Sequence, residues 1–327
     1  METIGILGGA GMIGSHVTKQ LLEKGYKVII YDNCSAYPFD TFLKFDIPYN
    51  KNLSFIQGDI LDVKKMRSVI KRCDRIVQLI SLADVGACIR NPDKNFDTDI
   101  IGNHNVLNLC MKNKIKKLVF ASSASVYGSP EWKNDKPPKV SENSTFNPPS
   151  TYANTKLFNE QQFRLYTELY GFPTTSLRYF SVYGSPQVPK KGSHSWCVPI
   201  FAMQAMKMKP MTILGDGQQI RDFTHVTEIA KATIECLFNE KTNGKILNVG
   251  TGIPTTINKV AEEISKHIKT NGKVNLPPKA GDPKGCYADN RLMKELLGWT
   301  PSVTFEQGVK EYMDWLKQNK RMVPGWL

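Results

Sequence analysis

Seven residues near the start of the chain, Gly8-Gly9-Ala10-Gly11-Met12-Ile13-Gly14, constrain the fold more than any other stretch. They directly follow a strand-like run from Thr3 to Leu7 and open a segment in which Ile13, Val17 and Leu21 recur at helical spacing. Glycines at a strand-to-helix turn let the backbone bend tightly. They also let a pyrophosphate approach the helix N-terminus, where unpaired N–H groups favour negative charge. An ordinary glycine-rich turn is the competing reading, and the strand and helix on either side weigh against it.

The same alternation continues. Strand-like runs at 3–7, 27–31, 53–57, 75–80, 116–122 and 173–179 are separated by helical patterns, among them Val106, Leu107 and Cys110. This order predicts βαβ units in an α/β fold, a Rossmann-like doubly wound parallel sheet. Residues 129–150 hold five prolines and are predicted to form a surface loop. Beyond residue 180 the pattern loosens into a Met-rich helical stretch at 200–208, a turn at Gly215-Asp216-Gly217 and helices near 256–269, 290–297 and 305–318. The predicted division is a dinucleotide-binding domain at 1–178, with a return segment near 222–252, and a smaller α/β substrate domain at 179–327.

With 327 residues and 41% hydrophobic content the chain can bury a full core. No apolar run approaches the ~20 residues of a membrane span, and the first strand begins too early to leave room for a leader, so a cytoplasmic protein without a membrane partner is expected. The seven cysteines are odd in number and never spaced Cys-x-x-Cys, which argues for reduced thiols and against a zinc site. The net charge of +13 would suit nucleic acid or an anionic small molecule. Lysines in short groups along the whole chain, with no basic arm, favour the small molecule.

Chemistry-bearing residues fall at predicted strand ends. Asp32 closes the second strand, where a carboxylate can take the hydroxyls of an adenosine ribose and would repel a 2′-phosphate, which favours NAD over NADP. Asp59, in Gln57-Gly58-Asp59-Ile60, closes the third. The fifth ends in Ala121-Ser122-Ser123-Ala124-Ser125-Val126-Tyr127-Gly128. Tyr152-Ala-Asn-Thr-Lys156 then places a phenol and an ammonium one helical turn apart. A tyrosine of pKa about 10 can act as a base near neutrality if positive charge stabilises its phenolate, and Lys156 is expected to supply that charge.

Together these motifs resemble the extended short-chain dehydrogenase/reductase family, specifically its nucleotide-sugar epimerases and dehydratases. Arg178-Tyr-Phe-Ser-Val-Tyr-Gly184, Gly215 to Asp222, Asn248-Val-Gly250 and Gly281-Asp282 extend the resemblance nearly end to end. It implies that Ser123 is the hydroxyl partner, Tyr152 the base and Lys156 the ribose-binding lysine. On the cofactor side it implies Gly8, Gly11, Met12, Ile13, Gly14, Asp32, Asn33, Asp59, Ile60, Leu79 and Tyr179 around NAD. On the substrate side it implies Ser125, Ser181, Lys279, Asp282 and Cys286, with Arg221 as the diphosphate-binding arginine. No metal is implied, and a homodimer is.

Departures from the family pattern narrow the activity. Its 4,6-dehydratases carry Asp-Glu directly after the catalytic hydroxyl residue, its decarboxylases carry Glu at the second of those positions, and its 3,5-epimerases carry Cys there. Here the pair is Ala124-Ser125. What the resemblance then implies is a UDP-sugar 4-epimerase working through a 4-keto sugar. A dehydratase or 4-reductase is the rival, and a non-catalytic NAD-sensing scaffold is the rival of another class. Ser181 is more like glucuronate 4-epimerases than galactose ones, and a small Cys286 implies room for an N-acetyl group. Lys279, Gln78 and Asp99 replace an arginine, a histidine and an asparagine common in the family.

Overall fold

Seven parallel strands carry the molecule: β1 (Thr3–Leu7), β2 (Lys27–Asp32), β3 (Leu53–Gln57), β4 (Arg75–Gln78), β5 (Lys117–Ser123), β6 (Thr174–Tyr179) and β7 (Lys245–Val249). Their order is β3-β2-β1-β4-β5-β6-β7, so the direction of winding reverses between β1 and β4. Ligands in such sheets bind outside the carboxyl ends at that reversal. This is the doubly wound sheet that the alternating pattern predicts. The computed structural model describes residues 1–36, 50–189, 196–278 and 283–327.

Side chains alternate across the sheet with a period of two. Ile4, Ile6, Val28, Ile30, Val77 and Val119 face one side, where they meet Val17 and Leu21 of helix α1 (Met12–Glu23). Leu7, Ile29, Tyr31, Ile76, Leu118 and Phe120 face the other. There they pack on α2 (Val63–Ile70), α3 (Gly102–Lys112) and α4 (Thr151–Tyr170) through Met66, Val106 and Phe163. Being buried on both faces, the inner strands β1 and β4 show no alternation of buried and exposed residues.

A third core joins α5 (Cys197–Met206), α7 (Ile257–Ser265) and α8 (Phe305–Gln318) through Phe201, Val260, Val309 and Leu316. Between α5 and α7 the chain returns to the sheet as α6 (Val226–Phe238), whose Ile229, Ala232 and Leu237 lie in the core with α1. Met293 and Trp299, beyond the predicted return segment, lie in that core too.

The 129–150 segment is more than a surface loop. Lys139–Val140 forms a short strand parallel to Tyr287–Ala288, and Val140 is buried with Phe180 and Tyr127. The five prolines kept the segment from reading as a strand, and a two-residue strand carries too little pattern to show. Among the described residues, no helix is long and apolar enough to cross a membrane.

Candidate active site

The glycine turn is built by close approach. A Cβ on Gly14 would come within 2.5 Å of the Gly8 carbonyl, and Gly8 itself has φ +86 and lies against the Ile80 backbone. Gly11 differs: a Cβ there would meet only the Gly8 oxygen, at an ordinary 3.6 Å. Packing does not require that glycine, and it leaves open backbone at the start of α1, where Gly11 caps the helix without a side-chain hydrogen bond. Uncapped N–H groups beside open backbone fit a pyrophosphate.

Acceptors gather at the neighbouring strand ends. Asp32 accepts from Ala10 N at 3.0 Å and from Cys34 N at 2.7 Å. Burial pushes its carboxyl above the usual range, against the pull of those two N–H groups. Asp59 accepts from Asn33 Nδ2 at 2.9 Å and from Leu61 N at 3.0 Å. The chain's own residues therefore fit an adenine dinucleotide.

Two expected cofactor residues point elsewhere. The Ile60 side chain is buried in the core against Gly102, and the Tyr179 hydroxyl bonds Thr233 Oγ1 at 2.7 Å inside the core. Strand alternation turns Tyr179 away from the ligand side, so both residues have only backbone to offer. Leu79 is held by its own N–H on Leu7 O at 2.8 Å. Met12 and Ile13 form the first turn of α1, with Ile13 packed on the core.

Helix α4 begins where it must to pair Tyr152 with Lys156. Ser150 caps it by accepting from Ala153 N at 3.2 Å, and Pro148-Pro149 ends the preceding chain. Lys156 is 2% exposed, and its Nζ donates to Ala121 O at 2.8 Å. The ammonium lies 4.9 Å from the Phe120 ring centre and 5.6 Å from that of Tyr152. Ser123 ends β5, accepts from Ser125 N at 3.2 Å and lies close enough to the Tyr152 phenol to pull its pKa down. The three residues expected to act together do meet.

Burial weighs on both members of the pair. Burial pushes the Tyr152 phenol well above its ordinary value, outweighing the pull of Ser123, and Asp99 and Cys88 push the same way. Burial also lowers Lys156, against Asp99, Cys88 and Glu160. Use of Tyr152 as a base needs positive charge beside it.

Substrate-side residues lie farther along the chain. Arg221 Nη1 donates to Ile220 O at 2.7 Å and to Pro283 O at 3.0 Å. Cys286 sits near it, its thiol pushed up to about 11 by burial against the Arg221 charge. The Ser125 hydroxyl is buried with no hydrogen-bond partner among the described residues, and the Ser181 carbonyl accepts from Thr224 N at 3.3 Å. Lys279 and Asp282 lie outside the described residues.

A polar network behind the site escaped the sequence. Glu160 and Arg178, 0% and 1% exposed at their side chains, form a bidentate pair with Nε–Oε1 at 2.9 Å and Nη2–Oε2 at 2.8 Å. Ser122 Oγ donates to Glu160 Oε1, and Arg178 Nη1 donates to the Tyr127 hydroxyl at 2.8 Å. Tyr127 in turn donates to Asn248 Oδ1 at 2.6 Å. The available signal was Arg178 itself, a charge inside an otherwise uncharged strand. Asp222 is a second such hub, accepting from Thr251 N, Gly252 N and Ala288 N at 2.8–3.0 Å.

A doubly wound sheet with an open glycine turn and a Ser123–Tyr152–Lys156 cluster defines an extended short-chain dehydrogenase/reductase. The chain belongs to the family described as GDP-mannose 4,6 dehydratase, whose pattern matches residues 6–312. It is 34% identical over 319 residues to a Methanocaldococcus jannaschii protein provisionally named as a UDP-glucose 4-epimerase, covering 97% of this chain and 99% of that one. It is 31% identical to the UDP-N-acetyl-α-D-glucosaminuronate decarboxylase of Bacillus cytotoxicus, over 96% and 97% of the two chains. Its fold matches the crystal structure of the Bacillus cereus UDP-glucuronic acid 4-epimerase in complex with UDP-glucuronic acid and NAD. That match has a TM-score of 0.87 and 28% identity, over 97% and 99% of the chains.

Proposed function

We propose that this protein is an NAD-dependent UDP-sugar 4-epimerase. The observation that carries the reading is the Ser123–Tyr152–Lys156 cluster followed by Ala124 and Ser125, a catalytic centre with no carboxylate directly after its serine. Relatives and structural neighbours that act on UDP-glucose and UDP-glucuronate support it. Gly8, Gly11, Met12, Ile13 and Gly14 hold the pyrophosphate with backbone; Asp32, Asn33 and Asp59 take the adenosine end, and Ile60, Leu79 and Tyr179 contribute main chain. Arg221, Cys286, Ser125 and Ser181 face the UDP-sugar, and Lys279 and Asp282 join them as ligands proposed from the sequence alone. Residues 1–178 with 222–252 bind NAD, and the rest of 179–327 binds substrate. The seven free thiols suit a reducing cytoplasm.

Bound NAD supplies the hydride acceptor at C4 and positive charge beside the phenol. Tyr152 takes the proton of the sugar 4-hydroxyl, with Ser123 bridging the two oxygens. Lys156 keeps the phenolate charge balanced and orients the ribose. The 4-keto sugar would turn in the site, and Tyr152 would return its proton to the sugar 4-oxygen as the ketone is reduced on its other face. No carbon-bound proton is lost in this sequence. A 4,6-dehydratase must remove one beside the ketone, and a decarboxylase must add one after carbon dioxide leaves. Incubating UDP-glucose, UDP-glucuronate and UDP-N-acetylglucosamine with the protein in heavy water is expected to give C4 epimers free of carbon-bound deuterium. Deuterium at C5 or C6, a stable 4-keto-6-deoxy sugar or a pentose product would overturn the assignment.

Asp32 is the proposed selector of NAD over NADP, since an anionic carboxylate opposes a 2′-phosphate. Titration calorimetry is expected to show NADP binding at least tenfold weaker in wild type, with the gap narrowed in Asp32→Ala. Equal affinities in wild type would reject that role.

Phe158, Leu165 and Leu169 recur on one face of α4 and are 45%, 40% and 67% exposed, with Ile101, 42% exposed, on the segment leading into α3. Single exposed leucines need no explanation, but a row at helical spacing does. We infer that this face joins two copies in a homodimer. Light scattering is expected to give twice the chain mass, and Leu165→Glu with Leu169→Glu to give the single mass. A monomeric wild type at micromolar concentration would refute it.

A further inference from the structure

Arg221 lies on a strand of only two residues, Ile220–Arg221, which pairs antiparallel with Thr255–Thr256. Its other flank is the segment 283–288, where Ile220 N donates to Lys284 O at 2.8 Å and Arg221 Nη1 donates to Pro283 O at 3.0 Å. A strand this short has few ladder bonds to hold it. The next residue, Asp222, is 1% exposed, and its carboxylate grips both flanks at once. Oδ1 accepts from Thr251 N at 2.8 Å and Thr251 Oγ1 at 2.5 Å, on the loop that leads into Thr255. Oδ2 accepts from Gly252 N at 2.9 Å on that loop and from Ala288 N at 3.0 Å at the far end of 283–288. Four donors, and no acceptor among the described residues, fit an ionised carboxylate.

The backbone is packed around this group. A Cβ on Gly250 would lie 2.7 Å from Asp222 Oδ2 and 2.6 Å from the Ala288 Cβ, so glycine is what lets the carboxylate reach Ala288 N. A Cβ on Gly285 would lie 2.0 Å from Ile220 O and 3.0 Å from Arg221 Nη1, so the segment 283–288 runs directly against the arginine. Trp132 Nε1 donates to Gly285 O at 2.8 Å and holds the same segment from outside.

We propose that Asp222 is a positioning residue for the substrate diphosphate: by tying the 250–252 loop and the 283–288 segment to the residue after Arg221, it fixes where the guanidinium sits. The ligand named here rests on the epimerase reading. A guanidinium matches phosphate oxygens only in a set orientation, so a frame that shifts costs affinity even though Asp222 itself touches no substrate. An amide in place of the carboxylate cannot satisfy both flanks. Whichever way it is turned, its NH2 faces either the Thr251 donors or those of Gly252 and Ala288.

The probe is UDP, titrated calorimetrically into the NAD-loaded protein. Asp222→Asn is expected to raise the UDP dissociation constant by about tenfold or more, while that for NAD stays within about twofold. Asp32 and the glycine turn, on the NAD side, belong to other strands. In epimerisation KM should rise by about the same factor with kcat nearly unchanged, as expected for lost uniform binding. A merely structural role would weaken UDP and NAD alike. Because Asp222 acts through Arg221, adding Asp222→Asn to Arg221→Met should change the UDP constant by less than about twofold. If the amide variant does not fold, Thr251→Ala removes one of the four donors and should weaken UDP by about threefold, with Thr251→Ser restoring it.

An unchanged UDP constant in the folded variants, equal losses of UDP and NAD, or full additivity with Arg221→Met overturns the proposal. If wild type binds UDP but epimerises no UDP-sugar, the epimerase reading fails and the test of Asp222 stands on UDP binding. A wild type that binds no UDP overturns both.

Discussion

Tyr152→Phe is expected to lower kcat for epimerisation by about 10²–10⁴-fold, the range for removing a general acid or base, with NAD still bound. Only the phenolic oxygen is lost, and the ring keeps its place beside Lys156, whose ammonium is held by Ala121 O and by the Phe120 face. The oxygen lies beside Ser123, which keeps its bond to Ser125 N without it. Folding should therefore change by less than about 1.5 kcal/mol, the net worth of one hydrogen bond. KM for the UDP-sugar should stay near wild type, because the diphosphate side lies elsewhere, around Arg221. A variant within twofold of wild-type kcat would show that another group moves the proton. A variant that loses NAD along with activity would show that Tyr152 is holding the cofactor instead.

How much of this was legible in the sequence follows from how far apart the cooperating residues are. The sheet was legible because the strands are short runs rich in β-branched and apolar residues separated by helical patterns, and the first βα junction is marked locally at Gly8 to Gly14. Tyr152 and Lys156 were legible because four residues on a helix are neighbours by geometry. Asp32 and Asp59 could be placed because they end strands, and strand ends collect on one side of a parallel sheet. What was not legible depends on three-dimensional meeting. Arg178 and Glu160 come from different elements, and nothing local announces that they pair. The fate of Tyr179 turns on which face of β6 it occupies, and a strand buried on both faces gives no alternation from which to read that. The direction of the Tyr152 shift could not be read either, because motif spacing brings Lys156 near but carries no measure of burial, and burial is the larger effect. Asp99 stood out by residue type alone, while its Ser81, Leu82 and Asn95 donors needed the fold.

The largest expected effect on stability lies in the Glu160–Arg178 pair. Removing one partner of a buried ion pair typically costs about 3–5 kcal/mol, because the other charge is left uncompensated, and this pair is bidentate with both side chains shielded from water. Arg178→Met should therefore lower the free energy of unfolding by about 3–5 kcal/mol in urea denaturation. It strands Glu160 and also removes the donors to the Tyr127 hydroxyl and the Glu142 carbonyl. Glu160→Leu combined with Arg178→Met should be less destabilised than the sum of the two single changes, since no buried charge remains, and the coupling in that cycle isolates the pair. Activity should fall with stability for a geometric reason. Glu160 belongs to the helix that carries Tyr152 and Lys156, and it accepts from Ser122, the neighbour of Ser123 on β5. The pair thus ties the serine end of the site to its tyrosine end, and loosening it should lower kcat in Arg178→Met even at temperatures where the protein remains folded. A cost below about 1 kcal/mol for Arg178→Met, a surface-pair value, would mean that water reaches the pair and that the register of β5 against α4 is set by the apolar contact of Phe120 with Phe163, whose ring centres are 4.6 Å apart.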